Sequence, residues 1–214
     1  RAGYRVAICE QTERPAKGQK VFERELVRTV TPGTIVDGDV IDGKENNFLA
    51  ALYDGGLYGW GLAYVDITTG EFRATWESGQ DAWTAILGEL TRVSPSELLV
   101  DEISYQDETF RKQIAAETSA FLTQIPIASF DAEILQNRKI DLDYSRLKSP
   151  PPPSDRTLLL APAGALVNYL LSTQREAIEY LSRLETYRRQ AFMMIDRNTE
   201  RNLDLLTSVS GRRW

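Results

Sequence analysis

The chain has 214 residues, of which 42% are hydrophobic and 26% charged, with a formal net charge of −6. That is an ordinary globular composition, and its acidic sign argues against this piece being a main DNA-gripping surface, which would be basic. With no histidine and one cysteine, the chain excludes Ser-His-Asp and Cys-His catalysis, His-containing metal sites, zinc clusters and an internal disulfide; the last fits a reducing cytoplasm.

Residues 1–33 read as a strand, a polar loop and a second strand. The run 4–9 is apolar enough for a buried strand, which makes Cys9 a small buried hydrophobe rather than a reactive thiol. Such a strand almost at the first residue suggests a longer chain upstream. Residues 22–30 alternate apolar and charged side chains as a half-buried strand does. Thr31-Pro32-Gly33-Thr34 ends it, because Pro cannot donate to a ladder and Gly supplies a turn.

Residues 35–47 are turn-rich and acidic, as a linker is. The clearest β signal follows: a strand over 48–53, a turn at Asp54-Gly55-Gly56, a second strand over 57–67, a turn at Thr68-Thr69-Gly70 and a third strand over 71–76. A helix follows from Ala82 through Leu90, where Ile86, Leu87 and Leu90 recur at helical spacing. A short buried strand over 97–101, a helix over 107–117 and a strand over 121–126 complete the series. The fold class is therefore α/β. A three-stranded antiparallel meander followed by alternating α/β units is the ribonuclease H-like pattern.

That pattern raises a metal-dependent nuclease as an alternative, since such enzymes gather carboxylates around two metal ions. Asp54, Asp66 and Asp101 lie in no metal-binding motif and read as turn and strand-end acids. Neither a G-x-x-x-x-G-K-[ST] loop nor a G-x-G-x-x-G loop occurs in the chain, so it carries no such nucleotide site. No apolar run approaches the ~18 residues of a membrane span.

Residues 131–153 are polar and end in Ser149-Pro150-Pro151-Pro152-Pro153, which favours a semi-rigid polyproline II spacer; a ligand for a proline-reading domain is the alternative. From Ala163 the pattern turns helical, with Leu166, Tyr169, Leu170, Ala177, Tyr180, Leu181 and Leu184 on one stripe. So long a helix exposes more apolar face than a small β domain covers, and the stripe is expected to pack on absent chain.

Three collinear blocks resemble the MutS DNA mismatch-repair family. Val6-Ala7-Ile8-Cys9-Glu10-Gln11 with residues 24–34 is similar to the end of its mismatch-recognition domain. Residues 46–52, Tyr64-Val65-Asp66-Ile67-Thr68-Thr69-Gly70-Glu71-Phe72 and Pro95-Ser96-Glu97-Leu98-Leu99 resemble its connector domain. Residues 194–205 are similar to the start of its helical core. The resemblance implies a division into 1–34 (end of the mismatch reader), 35–155 (ribonuclease H-like connector) and 156–214 (start of the core). It also implies a cytoplasmic parent that binds mispaired double-stranded DNA as a homodimer, uses ATP and Mg outside this chain, and recruits a MutL-type partner, with no membrane.

On that resemblance the piece itself is not an enzyme and holds no cofactor. It transmits movement between reader and core, hinging at the loops 32–47 and 149–153. The MutL-type partner is expected to touch residues near the last strand: Phe130, Asp131, Glu133, Gln136, Asn137, Arg138 and Lys139. A direct nucleic-acid-binding module is the second alternative, with Arg24, Arg28, Arg188, Arg189, Arg197, Arg201, Arg212 and Arg213 as candidate phosphate contacts.

Overall fold

A computed structural model describes residues 6–11, 24–35 and 46–189. Strands β1 (Val6–Gln11) and β2 (Arg24–Val30) form a two-stranded antiparallel ribbon whose register shifts between Ile8 and Cys9. Cys9 is exposed, as is Val6; among the described residues β1 pairs with β2 alone, outside the seven-stranded sheet. The expectation of a buried cysteine is corrected accordingly.

The meander forms as the strand and turn signals require: β3 (Leu49–Asp54), β4 (Trp60–Asp66) and β5 (Glu71–Glu77) pair antiparallel in sequence order. Helix α1 (Ala82–Val93) leads into β6 (Glu97–Asp101). Two short helices, α2 (Glu102–Gln106) and α3 (Glu108–Glu117), lead into β7 (Phe121–Ile125). Strand β6 lies parallel to β3, and β7 parallel to β6.

Beyond β7 the chain departs from expectation. Helix α4 (Glu133–Asn137) and strand β8 (Asp141–Asp143) occupy the stretch read as a polar spacer. Helix α5 (Pro153–Thr173) starts ten residues earlier than the expected helical onset at Ala163. Pro152 is extended and Pro153 opens the helix, because a proline at the first helical position gives up an N–H that would be unpaired there anyway. After Gln174, at φ −144 and ψ 73, a 3-10 turn (Arg175–Tyr180) replaces the expected continuous helix, and β9 (Arg183–Thr186) follows. The sheet has seven strands in the order β7-β6-β3-β4-β5-β9-β8.

Both faces of this sheet are covered. Ala50, Leu52, Leu62 and Tyr64 pack against α1 and α3 on one face. Leu49, Ala51, Ala63 and Val65 pack against α5 on the other. This is why β3 and β4 are apolar almost throughout. Helix α5 is buried nearly all round from Leu158 to Val167, as a helix inside a layered core is. The expectation that its stripe awaits absent chain is corrected: Leu166 and Leu170 meet the sheet, as do Leu181 and Leu184 beyond the helix, while Tyr180 stands exposed. No seam falls between residues 155 and 156, because α5 crosses that point and β9 completes the same sheet. Residues 190–214, including the block 194–205, lie outside the described residues.

One contact explains how α5 sits so close. Pro162 has no N–H to give the Leu158 carbonyl four residues back. That carbonyl instead lies against Gly61 of β4, where an added Cβ would overlap it.

Candidate functional site

A buried carboxyl group with four hydrogen-bond donors lies where the β1–β2 ribbon joins the large sheet. Thr31-Pro32-Gly33-Thr34 closes a turn, with the Thr34 N–H donating to the Thr31 carbonyl at 3.0 Å and the Thr31 N–H to Thr34 Oγ1 at 2.8 Å. The turn lies on Glu97, the first residue of β6, which is 0% exposed. Glu97 Oε2 accepts from the Thr31 hydroxyl at 2.5 Å and from the Gly33 N–H at 3.0 Å. Its Oε1 accepts from the Thr123 hydroxyl of β7 at 2.6 Å and the Tyr169 hydroxyl of α5 at 2.8 Å. Four donors around one buried carboxyl group meet the requirement that such a group be fully satisfied.

Further ties hold the same turn. The Asn47 side chain donates to the Pro32 carbonyl at 3.1 Å, and Gln174 donates to the Thr34 carbonyl. Asn47 is itself held by Asp66, whose Oδ2 accepts from its N–H at 3.1 Å. Gly33 is required by contact: an added Cβ would lie 2.9 Å from both the Glu97 Cβ and a Leu49 methyl. The expected hinge over 32–47 is therefore corrected at both of its ends. Pro32, Gly33, Thr34 and Asn47 are fastened to the sheet, and residues 36–45 lie outside the described residues. At the second expected hinge, 149–153, Pro153 belongs to α5.

A second buried carboxyl group lies at the outgoing end. Glu89 of α1 accepts from the Tyr187 hydroxyl at 2.5 Å and from Arg92 Nε at 3.0 Å, and its Oε2 lies 3.9 Å from Arg189 Nε. Arg92 also reaches the Tyr64 hydroxyl at 3.2 Å. Burial, with Tyr64 and Glu89 nearby, pushes the Tyr187 hydroxyl well above its ordinary range. Burial works against the charge of Arg92, but the hydrogen bond and charge of Glu89 outweigh it and raise the guanidinium pKa. Arg188 lies 4.1 Å over the Trp76 ring and donates to the Trp76 carbonyl at 2.8 Å. Burial raises the Glu77 carboxyl, against the pull of Arg188 and Arg189.

The two junctions account for two of the arginines read as phosphate contacts: Arg188 and Arg189 face inward and hold the chain to α1 and β5. Arg24 and Arg28 lie on β2, and Arg197, Arg201, Arg212 and Arg213 lie outside the described residues. The three strand-end acids are occupied separately. Asp54 accepts from the Gly56 N–H at 2.7 Å, Asp66 from the Thr68 hydroxyl at 2.6 Å, and Asp101 caps α2 through the Ile103 N–H at 2.8 Å. Asp54 pairs with Trp60 at one end of β4, whereas Asp66 lies at the other end opposite Glu71. Among the described residues no three His, Cys, Asp or Glu side chains gather where a metal ion could be held.

Of the expected partner contacts, Asp131, Glu133, Gln136, Asn137, Arg138 and Lys139 come together as one exposed turn on and beside α4. Asp131 opens that turn by accepting from the Glu133 N–H at 2.9 Å. Phe130 does not join them. It is half-buried, with its ring 5.5 Å from the Tyr53 ring against the core. Beside the turn, Ile127 and Ile103 are exposed, and the Ile127 N–H donates to Glu102 at 2.8 Å. Sequence reading missed Glu97, Glu89, Tyr169 and Tyr187. The one available signal was a charged residue opening the fully apolar run Leu98-Leu99-Val100.

Residues 47–185 match the family model described as MutS domain II, and residues 1–39 match the one described as MutS domain I. The chain is 33% identical over 209 residues to the DNA mismatch repair protein MutS of Acetivibrio thermocellus, covering 97% of this chain and 23% of that protein. It is 34% identical to the protein of the same name from Pelotomaculum thermopropionicum, covering 97% of this chain and 24% of that one. The corresponding protein of Methanococcoides burtonii is 32% identical, over 98% of this chain and 23% of the relative. The chain thus spans about a quarter of the length of the curated relatives it matches.

Proposed function

The chain belongs to the MutS family, and from that premise we propose that it is the connector of a DNA mismatch-repair protein, joining the mismatch reader to the helical core and carrying movement between them. The observation that carries this reading is the Glu97 junction: the segment leaving the β1–β2 ribbon is held by a buried carboxyl group of the next sheet. A segment so fastened moves with that sheet, so displacement of the ribbon is delivered to it rather than absorbed in a slack linker.

The fold of this connector is read as ribonuclease H-like. The order β6-β3-β4-β5, with β6 and β7 parallel to β3 and helices on both faces, supports that reading. Asp54, Asp66 and Asp101 serve as caps and turn ligands, which supports reading the connector as a scaffold.

In this proposal the parent protein is a cytoplasmic homodimer that binds mispaired double-stranded DNA and hydrolyses ATP with Mg at a site outside this chain. No helix among the described residues is long and apolar enough to cross a membrane. The connector also meets a MutL-type partner, and the exposed turn of Asp131, Glu133, Gln136, Asn137, Arg138 and Lys139 is its candidate contact. What supports the choice is that the turn combines both signs of charge with the neighbouring exposed Ile127, and exposed mixed patches of this kind suit protein recognition.

Titration of the full-length protein with duplexes that differ by one mispair tests the first part. Preference for the mispaired duplex at physiological salt is expected; equal, salt-steep binding of both would point to nonspecific phosphate contact instead. Reversal of Glu133, Arg138 and Lys139 together is expected to weaken binding of the MutL-type partner, by tenfold or so, with mismatch binding retained. Unchanged partner binding would reject this surface.

A further inference from the structure

We infer that α1, the turn Ser94-Pro95-Ser96 and β6 act as one rigid relay between the two junctions, with Thr31 and Tyr187 as its positioning residues. The inference rests on the connector reading above and names the path that reading leaves open.

The two buried carboxyl groups sit on one supersecondary unit. Glu89 is on the last turns of α1, and Glu97 opens β6. Between them the chain has almost no freedom. Ser94 adopts a left-handed cap at φ 48 and returns its N–H to the Leu90 carbonyl at 2.9 Å. Pro95 fixes its own φ. The Ser96 N–H donates to the Phe48 carbonyl at 2.9 Å, and the Ser96 carbonyl accepts from the Phe121 N–H at 3.0 Å, so the turn is stitched to both neighbouring strands. On either side, Ile86, Leu90 and Val93 anchor α1 in one core, while β6 lies between β3 and β7.

Each end of this unit holds the chain that leaves it. Glu97 holds Thr31 and Gly33, on the side of the ribbon. Glu89 holds Tyr187 and lies beside Arg189, on the side leading to the core. A shift of the ribbon that pulls on Glu97 therefore moves β6 and, through the stitched turn, the Glu89 end of α1. Packed units of this kind transmit displacement because they do not deform continuously. On this reading the Thr31 and Tyr187 hydroxyl bonds are successive links of one path, each reinforced by its neighbours at Gly33 and Arg189.

The test uses the full-length protein and reads the ratio of ATP hydrolysis with a mispaired duplex to that with its matched counterpart. Thr31→Val and Tyr187→Phe each remove one hydroxyl at near-constant shape. Each is expected to lower the ratio about fivefold, the lower range of an allosteric coupling, while hydrolysis without DNA stays unchanged. The double variant is expected to fall no further than the more affected single one. Thr31→Ser keeps the hydroxyl and is expected to restore the ratio. A ratio unchanged in both single variants would overturn the relay, and so would a double variant that loses the product of the two single losses, which marks independent paths. A wild-type protein whose hydrolysis ignores the mispair would overturn the connector reading itself, and the relay with it.

Discussion

Replacement of Glu97 separates a satisfied buried carboxyl group from a merely buried one. In Glu97→Ala the Gly33 N–H and the Thr123 hydroxyl lose their acceptor, and the Tyr169 hydroxyl loses a partner at 2.8 Å. The Thr31 hydroxyl keeps an alternative, since Thr34 Oγ1 lies 3.0 Å away. Each stranded buried donor costs about 1–3 kcal/mol, and the lost side chain adds a cavity. Two stranded donors come to about 2–6 kcal/mol, and a loss of about 4 kcal/mol is expected. Glu97→Gln behaves differently. Its amide oxygen can face Thr31 and Gly33 while its NH2 faces Thr123 and Tyr169, whose hydroxyls rotate to accept. The Thr123 and Tyr169 hydroxyls lose an acceptor but keep a hydrogen-bonded partner, a loss of about 1 kcal/mol. Urea unfolding measures both: with a slope of about 2 kcal/mol/M, Glu97→Ala is expected to lower the midpoint by roughly 2 M and Glu97→Gln by roughly 0.5 M. Equal shifts for the two variants would refute the hydrogen-bond accounting, and so would a shift in Glu97→Ala below that expected for Glu97→Gln.

Three further outcomes follow from the geometry. Gly61→Ala would ordinarily favour a strand by ~0.5–1 kcal/mol, but here the new Cβ meets the Leu158 carbonyl, and a loss of about 3 kcal/mol in thermal or urea unfolding is expected; a gain would refute the close approach of α5. Tyr187 holds its proton more tightly folded than unfolded, so its contribution is complete below its ordinary pKa of 10.0 and is lost as pH rises above that value. Melting temperatures across the alkaline range are expected to fall less steeply in Tyr187→Phe than in the wild type, and parallel curves would contradict its burial against Glu89. Asp143 is held below its ordinary 3.8 first by the Ser145 N–H and then by the Ser145 side chain and Arg183. Its contribution is present above that pH and is lost as pH falls, so Asp143→Asn is expected to flatten the acid limb of the melting curve.

The strands β3 to β7 were legible in the sequence because their signals are local. Apolar runs bounded by glycine turns mark β3 and β4, alternation marks β5, and a proline-flanked apolar run marks β6. The second half of the sheet was not legible for a physical reason. Strand β9 has four residues and β8 three; neither carries a period of its own, and each exists because β5 and its neighbour offer an edge. Helix α5 misled for the opposite reason: an all-round apolar helix looks unpartnered until the sheet face beneath it is known. The junction was hidden for a third reason. Glu97 and Thr31 are 66 residues apart, and Tyr169 is 72 from Glu97. Nothing local announces that a glutamate will be buried among their hydroxyls. Exposure of Asp131, Glu133, Gln136, Asn137, Arg138 and Lys139 was legible from their polarity, whereas the half-buried packing of Phe130 beside Tyr53 was not.

The claim underlying this account is that Thr31 to Thr34 belong mechanically to the seven-stranded sheet. Hydrogen exchange at the Gly33 amide tests it most directly, because that N–H donates to Glu97. That amide is expected to exchange as slowly as the amides of β6 and to open only with the sheet. Exchange at the rate of an unprotected loop, while β6 stays protected, would contradict it.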